Sequence, residues 1–342
     1  MRKLLYITML GFLAISCTAQ NPTTTNSSTT QKNTNVGAVP PSPSVPTTTK
    51  PPIEYRAGYE FYTKNIGDVK KNDNTASYGS IVSAKPIGYK ISKAHFPALN
   101  QNFRVRYLIL HYTAMADDRS IVALTSRGVS SHYLVNNMED NEIYQLVDEN
   151  KRAYHAGISS WRSDKSLNDT SIGIEIVNDG YKMDSLNQRQ FFPYSETQFK
   201  KIAALVKDIV ERYQIPPTNI LGHSDIAPTR KHDPGPLFPW KRLYDEYKIG
   251  MWYDEDAKQR FIIQASNADF FNQNTTSAFI YKVQSALQNF GYDIQPSGTW
   301  DKNSTLVLQS FQYHFRPTKA DGILDIETWA ILQALQAKYP NK

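Results

Sequence analysis

Runs of apolar residues that alternate with polar ones first become regular near residue 105. The run VRYLIL (105–110) and the alternating segment SIGIEIV (171–177) each predict a buried strand. Shorter strand patterns cover 129–136 and 142–147, around a turn, and a further apolar segment at 220–223 ends on a histidine. These five segments predict the strands of a sheet.

Helical spacing of apolar residues predicts what covers that sheet. A short helix is predicted at 120–127. Ser195 followed by Gln198 forms a capping-box pattern, and the apolar residues after it recur every three or four positions as far as Tyr213. We therefore predict a long helix that packs on the sheet.

The sequence from about residue 258 is richer in Gln, Asn and aromatic residues and has no cluster of metal-ligand side chains. Helical patterns cover 281–292, 299–315 and 325–339. We predict a separate helical domain over 258–342; an extra subdomain with only a packing role is the alternative.

The N-terminus has the pattern of a secretion signal. Residues 1–17 (MRKLLYITMLGFLAISC) comprise two cations, an apolar run that is short for a membrane span, and small residues that end at Cys17. Cys17 is the single cysteine of the chain, and AISC resembles a bacterial lipobox, so we predict a lipidated Cys17. A transmembrane anchor or plain secretion is the alternative.

Residues 18–52 are mostly Thr, Ser, Asn and Pro, with almost no large apolar side chain. Such a segment cannot bury enough surface to offset its conformational entropy, so we predict a disordered tether. Residues 53–99 read as an arm with short turns rather than regular structure.

One stretch, LGHSDIAPTRKHDPGPLFPW (221–240), concentrates histidines, aspartates and cations among prolines, which predicts a stiff, non-helical loop. His223 and Asp233 are ten positions apart in it, so a shared metal requires the loop to bring them together. A third ligand must come from elsewhere. His111 is a candidate because it stands at the carboxyl end of a predicted central strand.

His111, His223 and Asp233 form a ligand set that suits Zn²⁺ with a fourth position open for water. Glu175, flanked by isoleucines, would be costly to bury without a partner and should therefore face a polar site. Lys231 adds a cation. Metal-assisted hydrolysis needs this combination: an activated water, a carboxylate to take its proton, and a cation for the oxyanion. The residues alone indicate an amide or ester hydrolase.

Length and charge narrow the class of protein further. The 342 residues, 40% of them hydrophobic, suffice for two domains. The formal net charge of +6 is mild and does not argue for nucleic acid, and a single cysteine excludes an intramolecular disulfide. We expect no nucleic-acid partner.

Five motifs, in order, resemble the zinc-dependent N-acetylmuramoyl-L-alanine amidases, which share a fold with peptidoglycan recognition proteins. They are LILHYTA, SSHYLV, RAYHAG, SIGIEIVN and GHSDIAPTRKHDPGPLFPW. The C-terminal pattern, which includes DGILDIETWAIL, is similar to the small three-helix peptidoglycan-binding domain.

The resemblance implies an α/β fold: a mixed β-sheet flanked by helices over 53–257, followed by a small three-helix domain. It implies hydrolysis of the amide bond between N-acetylmuramic acid and L-alanine in peptidoglycan or muropeptides. One Zn²⁺ would be bound by His111, His223 and Asp233, with Glu175 and Lys231 as catalytic residues.

Candidate substrate contacts are His132, Tyr154, His155 and Asn178. For His132, a hydrogen-bonded strand histidine is an equally open alternative. His232, next to Asp233, could compete for the metal.

The expected setting is the bacterial cell envelope, with a monomer held by a lipid anchor on the outer membrane and facing the periplasm. Its partners would be peptidoglycan and muropeptides. The alternative from another class is a non-catalytic peptidoglycan-binding protein of the same fold. Retention of all three metal ligands together with Glu175 and Lys231 favours the enzyme.

Overall fold

A computed structural model describes the backbone of residues 53–56 and 59–62, and residues 87–89, 103–126 and 128–341. The predicted signal peptide (1–17), the lipidation site Cys17 and the tether (18–52) lie outside the described residues. Within the described part of the chain, no helix has both the length and the apolar character that a membrane span requires.

The predicted arm contains regular structure after all. Strands β1 (Ile53–Arg56) and β2 (Tyr59–Tyr62) pair antiparallel, with Ile53 opposite Tyr62. Their isoleucine, tyrosines and phenylalanine favour extended backbone, a signal that the sequence interpretation missed.

The predicted mixed sheet is confirmed. The remaining strands are β3 (Tyr107–Tyr112), β4 (Tyr133–Val135), β5 (Tyr144–Gln145), β6 (Ser160–Trp161), β7 (Asp164–Lys165), β8 (Ser171–Ile176), β9 (Tyr181–Met183), β10 (Arg189–Phe191) and β11 (Ile220–Gly222). The main sheet has the order β11-β3-β8-β4-β5 and is parallel except for the last pair. Its central strands, β3 and β8, place His111 directly beside Glu175.

Helices cover the sheet and form the C-terminal part of the chain. They are α1 (Asp117–Ser126), α2 (Glu196–Tyr213), α3 (His223–Ile226), α4 (Trp240–Tyr247), α5 (Glu255–Asn267), α6 (Phe270–Gln273), α7 (Ser277–Phe290), α8 (Lys302–Phe315) and α9 (Ile326–Lys338). The capping box of α2 is confirmed: Gln198 N donates to Ser195 Oγ, and the Gln198 side chain accepts from Ser195 N.

The prediction that 221–240 cannot be helical is wrong at both ends. His223–Ile226 forms α3, and Trp240 begins α4. The prolines start only at Pro228, so the turn after Gly222 is free to become helical.

The predicted C-terminal helical domain shares one hydrophobic core with the sheet. Helix α5 begins at Glu255, before the predicted boundary at 258, and packs on α9. Trp161 contacts Phe290 and Tyr292, with ring centroids 6.0 and 5.0 Å apart. Between them Gly291, at φ 150°, lies so close to Trp161 that a Cβ atom would be 2.7 Å from the indole. The interface therefore requires glycine at this position.

Candidate active site and metal centre

The structure brings the three predicted metal ligands together. His111 comes from β3, His223 is the first residue of α3, and Asp233 lies in the loop that follows. The Nδ1 atoms of the two histidines are 2.9 Å apart, and Oδ2 of Asp233 lies 2.9 Å from Nδ1 of His111 and 3.0 Å from Nδ1 of His223. All three side chains are buried.

A backbone hydrogen bond brings Asp233 close to His223, although the two are ten residues apart in the sequence. Ser224 N donates to Asp233 O at 2.8 Å. Gly222 meets Pro234 so closely that a Cβ atom at 222 would lie 2.6 Å from the proline Cδ. Glycine at 222 is therefore required for the loop to fold back over the start of α3.

Hydrogen bonds behind His111 determine which of its nitrogens carries a proton. The Ser171 hydroxyl has one proton, which it donates to Leu167 O at 2.5 Å, so it must accept from Nε2 of His155 at 3.1 Å. Nδ1 of a neutral His155 is then the acceptor for Nε2 of His111, 3.0 Å away. Nδ1 of His111 is left with a lone pair directed at the ligand cluster.

The second histidine is oriented in the same way. Nε2 of His223 donates to Ala156 O at 3.0 Å, which leaves its Nδ1 as the lone pair of the neutral ring. The guanidinium of Arg230 donates to the same carbonyl at 2.8 Å and to Ile158 O at 2.7 Å, so it fixes the loop that holds His223. Arg230 was not predicted, although it lies in the same Pro-rich stretch.

Burial and neighbouring charges keep His111 and Asp233 in the protonation states that bind metal. Burial, with repulsion from His223, lowers the pKa of His111 to about 4, and burial lowers the pKa of His155 well below its usual value. Burial alone would raise the pKa of Asp233, but the surrounding imidazoles hold it well below its usual range.

Two neutral nitrogens and a carboxylate oxygen thus face one another with no proton between them. Such atoms repel each other unless a cation lies among them. Nitrogen and oxygen donors of this kind, each histidine held by an outer partner, fit zinc.

Glu175 lies beside this cluster on β8 and has an unusual carboxyl group. Its Oε2 atom is buried and has no hydrogen-bond partner among the described residues. Burial and repulsion from Asp233 raise the pKa of Glu175 well above its usual value, and the charge of Lys231 acts in the opposite direction. A raised pKa makes the ionised form of Glu175 a stronger base, which suits a group that takes a proton at the metal cluster.

Two of the predicted substrate contacts, His132 and His155, use their ring nitrogens in hydrogen bonds within the protein. His132 is buried, accepts from Gly173 N at 3.0 Å and donates to Lys151 O at 3.0 Å. It is the hydrogen-bonded strand histidine of the alternative interpretation. His155 lies behind His111 and positions it, so its polar atoms are not available to a substrate.

The other two candidates for substrate contact, Asn178 and Tyr154, differ in their surroundings. Asn178 donates to Phe192 O and Pro193 O and accepts from Gly180 N, so it holds a loop. A substrate contact of Asn178 stays a prediction. Tyr154 is 56% exposed, and a substrate contact there stays a prediction.

His232 does not join the cluster. Its ring packs near Tyr181 and Tyr313, with centroids 6.1 and 6.3 Å away. Among the described residues, the group able to hold a metal contains Asp233 and not its neighbour.

Comparison with known proteins places the chain in a family. The N-acetylmuramoyl-L-alanine amidase family model matches residues 101–236, and a peptidoglycan binding domain model matches 276–332. The amidase AmiD of Escherichia coli K12 is 43% identical over 241 residues, which are 69% of this chain and 84% of AmiD.

Solved structures agree. An AmiD complex with anhydro-N-acetylmuramic acid-L-Ala-D-gamma-Glu-L-Lys superposes with a TM-score of 0.67 at 38% identity, over 75% of this chain and 98% of that one. AmpDh3 from Pseudomonas aeruginosa gives 0.63 at 36% identity, over 76% and 100%. With this identity and coverage, the chain belongs to the N-acetylmuramoyl-L-alanine amidase family.

Proposed function

We propose that the protein hydrolyses the amide bond between the lactyl group of N-acetylmuramic acid and L-alanine, with one zinc ion held by His111, His223 and Asp233. The observation that carries this proposal is the convergence of Nδ1 of His111, Nδ1 of His223 and Oδ2 of Asp233, which lie 2.9 to 3.0 Å from one another. Beside them lies the Glu175 carboxyl group, whose Oε2 atom has no hydrogen-bond partner among the described residues. The AmiD structure contains a substrate with this bond, and another AmpDh3 structure contains an anhydromuramic pentapeptide.

The protein's own groups would divide the chemistry. When bound, zinc would polarise the amide carbonyl and lower the pKa of water in the site. Glu175 would take a proton from the attacking water and return it to the leaving amine of L-alanine. The positive charge of Lys231 would stabilise the negative charge that develops on the carbonyl oxygen.

Mass spectrometry of a defined anhydromuramyl peptide tests the reaction. We expect a free peptide that begins with L-alanine and a separate anhydro-N-acetylmuramic acid, only when zinc is present. Zinc binding without cleavage would favour the non-catalytic binding protein, and cleavage at another bond would contradict the assigned specificity.

We also propose that the C-terminal helices bind the polymeric wall. Helices α7 and α9 flank a groove of about 500 Å³ whose lining includes Tyr281, Lys282, Asn289, Gln333 and Gln336. Tyr281 is 54% exposed and offers a ring face, while the amides offer donors and acceptors for sugar and peptide groups. Tyr281→Ala should reduce sedimentation with insoluble wall several-fold and leave cleavage of a small muropeptide unchanged; unaltered sedimentation would remove the groove from wall binding.

For the cellular setting we propose the lipid anchor at Cys17 and an envelope location on the outer membrane. The lipobox-like AISC and the Thr- and Pro-rich segment after it support this. Cys17→Ser should release the protein from the membrane fraction, and continued membrane association would contradict the proposal.

A further inference from the structure

A buried carboxylate on α3 joins the metal centre to the C-terminal helices. Asp225 accepts a hydrogen bond from Tyr292 Oη at 2.6 Å and another from Nδ1 of His314 at 2.7 Å. It also accepts from the backbone N of Gly222 at 2.8 Å. Asp225 and His314 are each only 1% exposed. Two donors from the C-terminal part of the chain thus meet one group in the amidase part.

The bond to Gly222 fixes where α3 begins. Asp225 is the third residue of the helix, and it reaches back to the backbone that precedes the first residue, His223. On the other side, Ser224 N is bonded to Asp233 O. The turn that carries His223 is therefore held by Asp225 on one side and by the loop of Asp233 on the other.

The two donors cannot easily move. The His314 ring stacks on Trp240 with centroids 3.9 Å apart and planes within 18°, and Tyr292 packs edge-on against Trp161. Because both rings are locked by packing, their polar atoms define a fixed place for the Asp225 carboxylate. Loss of either donor would leave the buried carboxylate with one partner fewer, so its position against Gly222 N would be less firmly fixed.

We propose that Tyr292 and His314 are positioning residues of the metal centre: through Asp225 they hold the first turn of α3, and hence the metal ligand His223, in place. The C-terminal helices then complete the catalytic unit in addition to binding the wall. This inference rests on the proposed zinc site. Groups that orient a metal ligand from behind typically change metal affinity or activity 10- to 100-fold.

The test uses the full chain and separates hydrogen bonding from packing at one position. His314→Phe keeps a ring to stack on Trp240 but removes the donor to Asp225. His314→Asn keeps a side-chain N–H near the position of Nδ1 but loses the stacked ring. Tyr292→Phe removes only the hydroxyl. Tyr339→Phe is the matched control, because the Tyr339 hydroxyl contacts the Trp252 backbone and not Asp225.

Two quantities are measured for each variant: the zinc Kd, by competition with a chromophoric chelator well below the Tm, and the Tm of the metal-free chain. We expect His314→Phe and Tyr292→Phe to bind zinc about tenfold more weakly, at the low end of outer-partner effects because they act through Asp225. His314→Asn should bind zinc nearly as wild type despite a lower Tm, and Tyr339→Phe should bind as wild type.

Wild-type zinc affinity in both His314→Phe and Tyr292→Phe would overturn the inference, as would affinities that simply follow the Tm across all four variants. If His314→Phe does not fold, Tyr292→Phe decides the question alone. A wild-type chain that binds no zinc would overturn the proposed function and this inference together, whereas binding by wild type and variants alike overturns the inference only.

Discussion

Two buried groups of histidine and aspartate include residues of α3: Asp225 with His314, and His223 with His111 and Asp233. They differ in which of their atoms carry protons. Asp225 accepts from three donors, among them His314, so its oxygens are satisfied by the protein. Asp233 faces two imidazole nitrogens whose protons are held elsewhere. The residue types are alike, but among the described residues only the second group brings ligand atoms of three side chains together without protons between them.

This difference shows that a structural His–Asp pair and a metal site are distinguished by which atoms carry the protons, and not by residue type. The deciding partners are remote: Ser171 and Ala156 fix the protons of the ligand cluster from outside it.

The largest effect is expected from His223→Ala, which leaves two protein ligands for the metal. Zinc and activity should be lost together, as measured by metal analysis and cleavage of a muropeptide. His232→Ala is the control and should keep both, since its ring lies outside the cluster. If the His223→Ala variant retained zinc, the cluster of His111, His223 and Asp233 would be structural, as the pair of Asp225 and His314 is.

Glu175→Gln should lower kcat by roughly 10² to 10⁴, because the amide keeps the shape of the side chain but cannot accept a proton. Zinc content should stay at the wild-type level, since Glu175 is not in the ligand cluster. Near-normal kcat with full zinc would remove Glu175 from the mechanism, and a parallel loss of zinc would make it a ligand.

Ser171→Ala should weaken zinc binding by about tenfold, toward the low end of outer-partner effects. Without the hydroxyl, Nε2 of His155 has lost its acceptor, so the ring no longer favours the tautomer that leaves Nδ1 of His111 unprotonated. Ser131→Ala is a matched control, because this buried hydroxyl donates to Gly173 O and lies outside the proton chain. Equal zinc Kd values for the two variants would contradict the proton assignment.

The smallest effect concerns the stability of the metal-free chain. The raised pKa of Glu175 means that the folded chain favours the protonated side chain. The stability that this protonation adds is fully present below pH 4.5, the ordinary pKa of glutamate, and is lost as the pH rises through the raised pKa. Glu175→Gln stays neutral, so its Tm should exceed that of wild type at about pH 8 and match it near pH 4. The exposed Glu142→Gln serves as control, and a pH-independent difference at Glu175 would contradict burial as the cause.

The sequence predicted the parts of this site that depend on local pattern. Apolar strands located His111 and Glu175, and a capping box located α2, because periodicity and caps are properties of neighbouring residues. Helix α3 was missed, since the prolines further along the stretch dominated the interpretation although they begin only at Pro228.

Roles that depend on distant partners could not be predicted. His155 was assigned to substrate, yet its partners are His111 and Ser171, 44 and 16 residues away. One signal was present: Gly173 lies on the same strand as Glu175, and its missing Cβ makes room for the His155 ring, which would otherwise be 2.4 Å away. The pairing of Asp225 with His314 spans 89 residues and leaves no trace in local periodicity.

The most direct test of the central claim is anomalous diffraction at the zinc edge from crystals of the zinc-loaded protein. The account predicts a single strong peak among Nδ1 of His111, Nδ1 of His223 and Oδ2 of Asp233, at about 2.0 to 2.2 Å from each. A peak coordinated by His232 in place of Asp233, or the absence of zinc from these three residues, would contradict it.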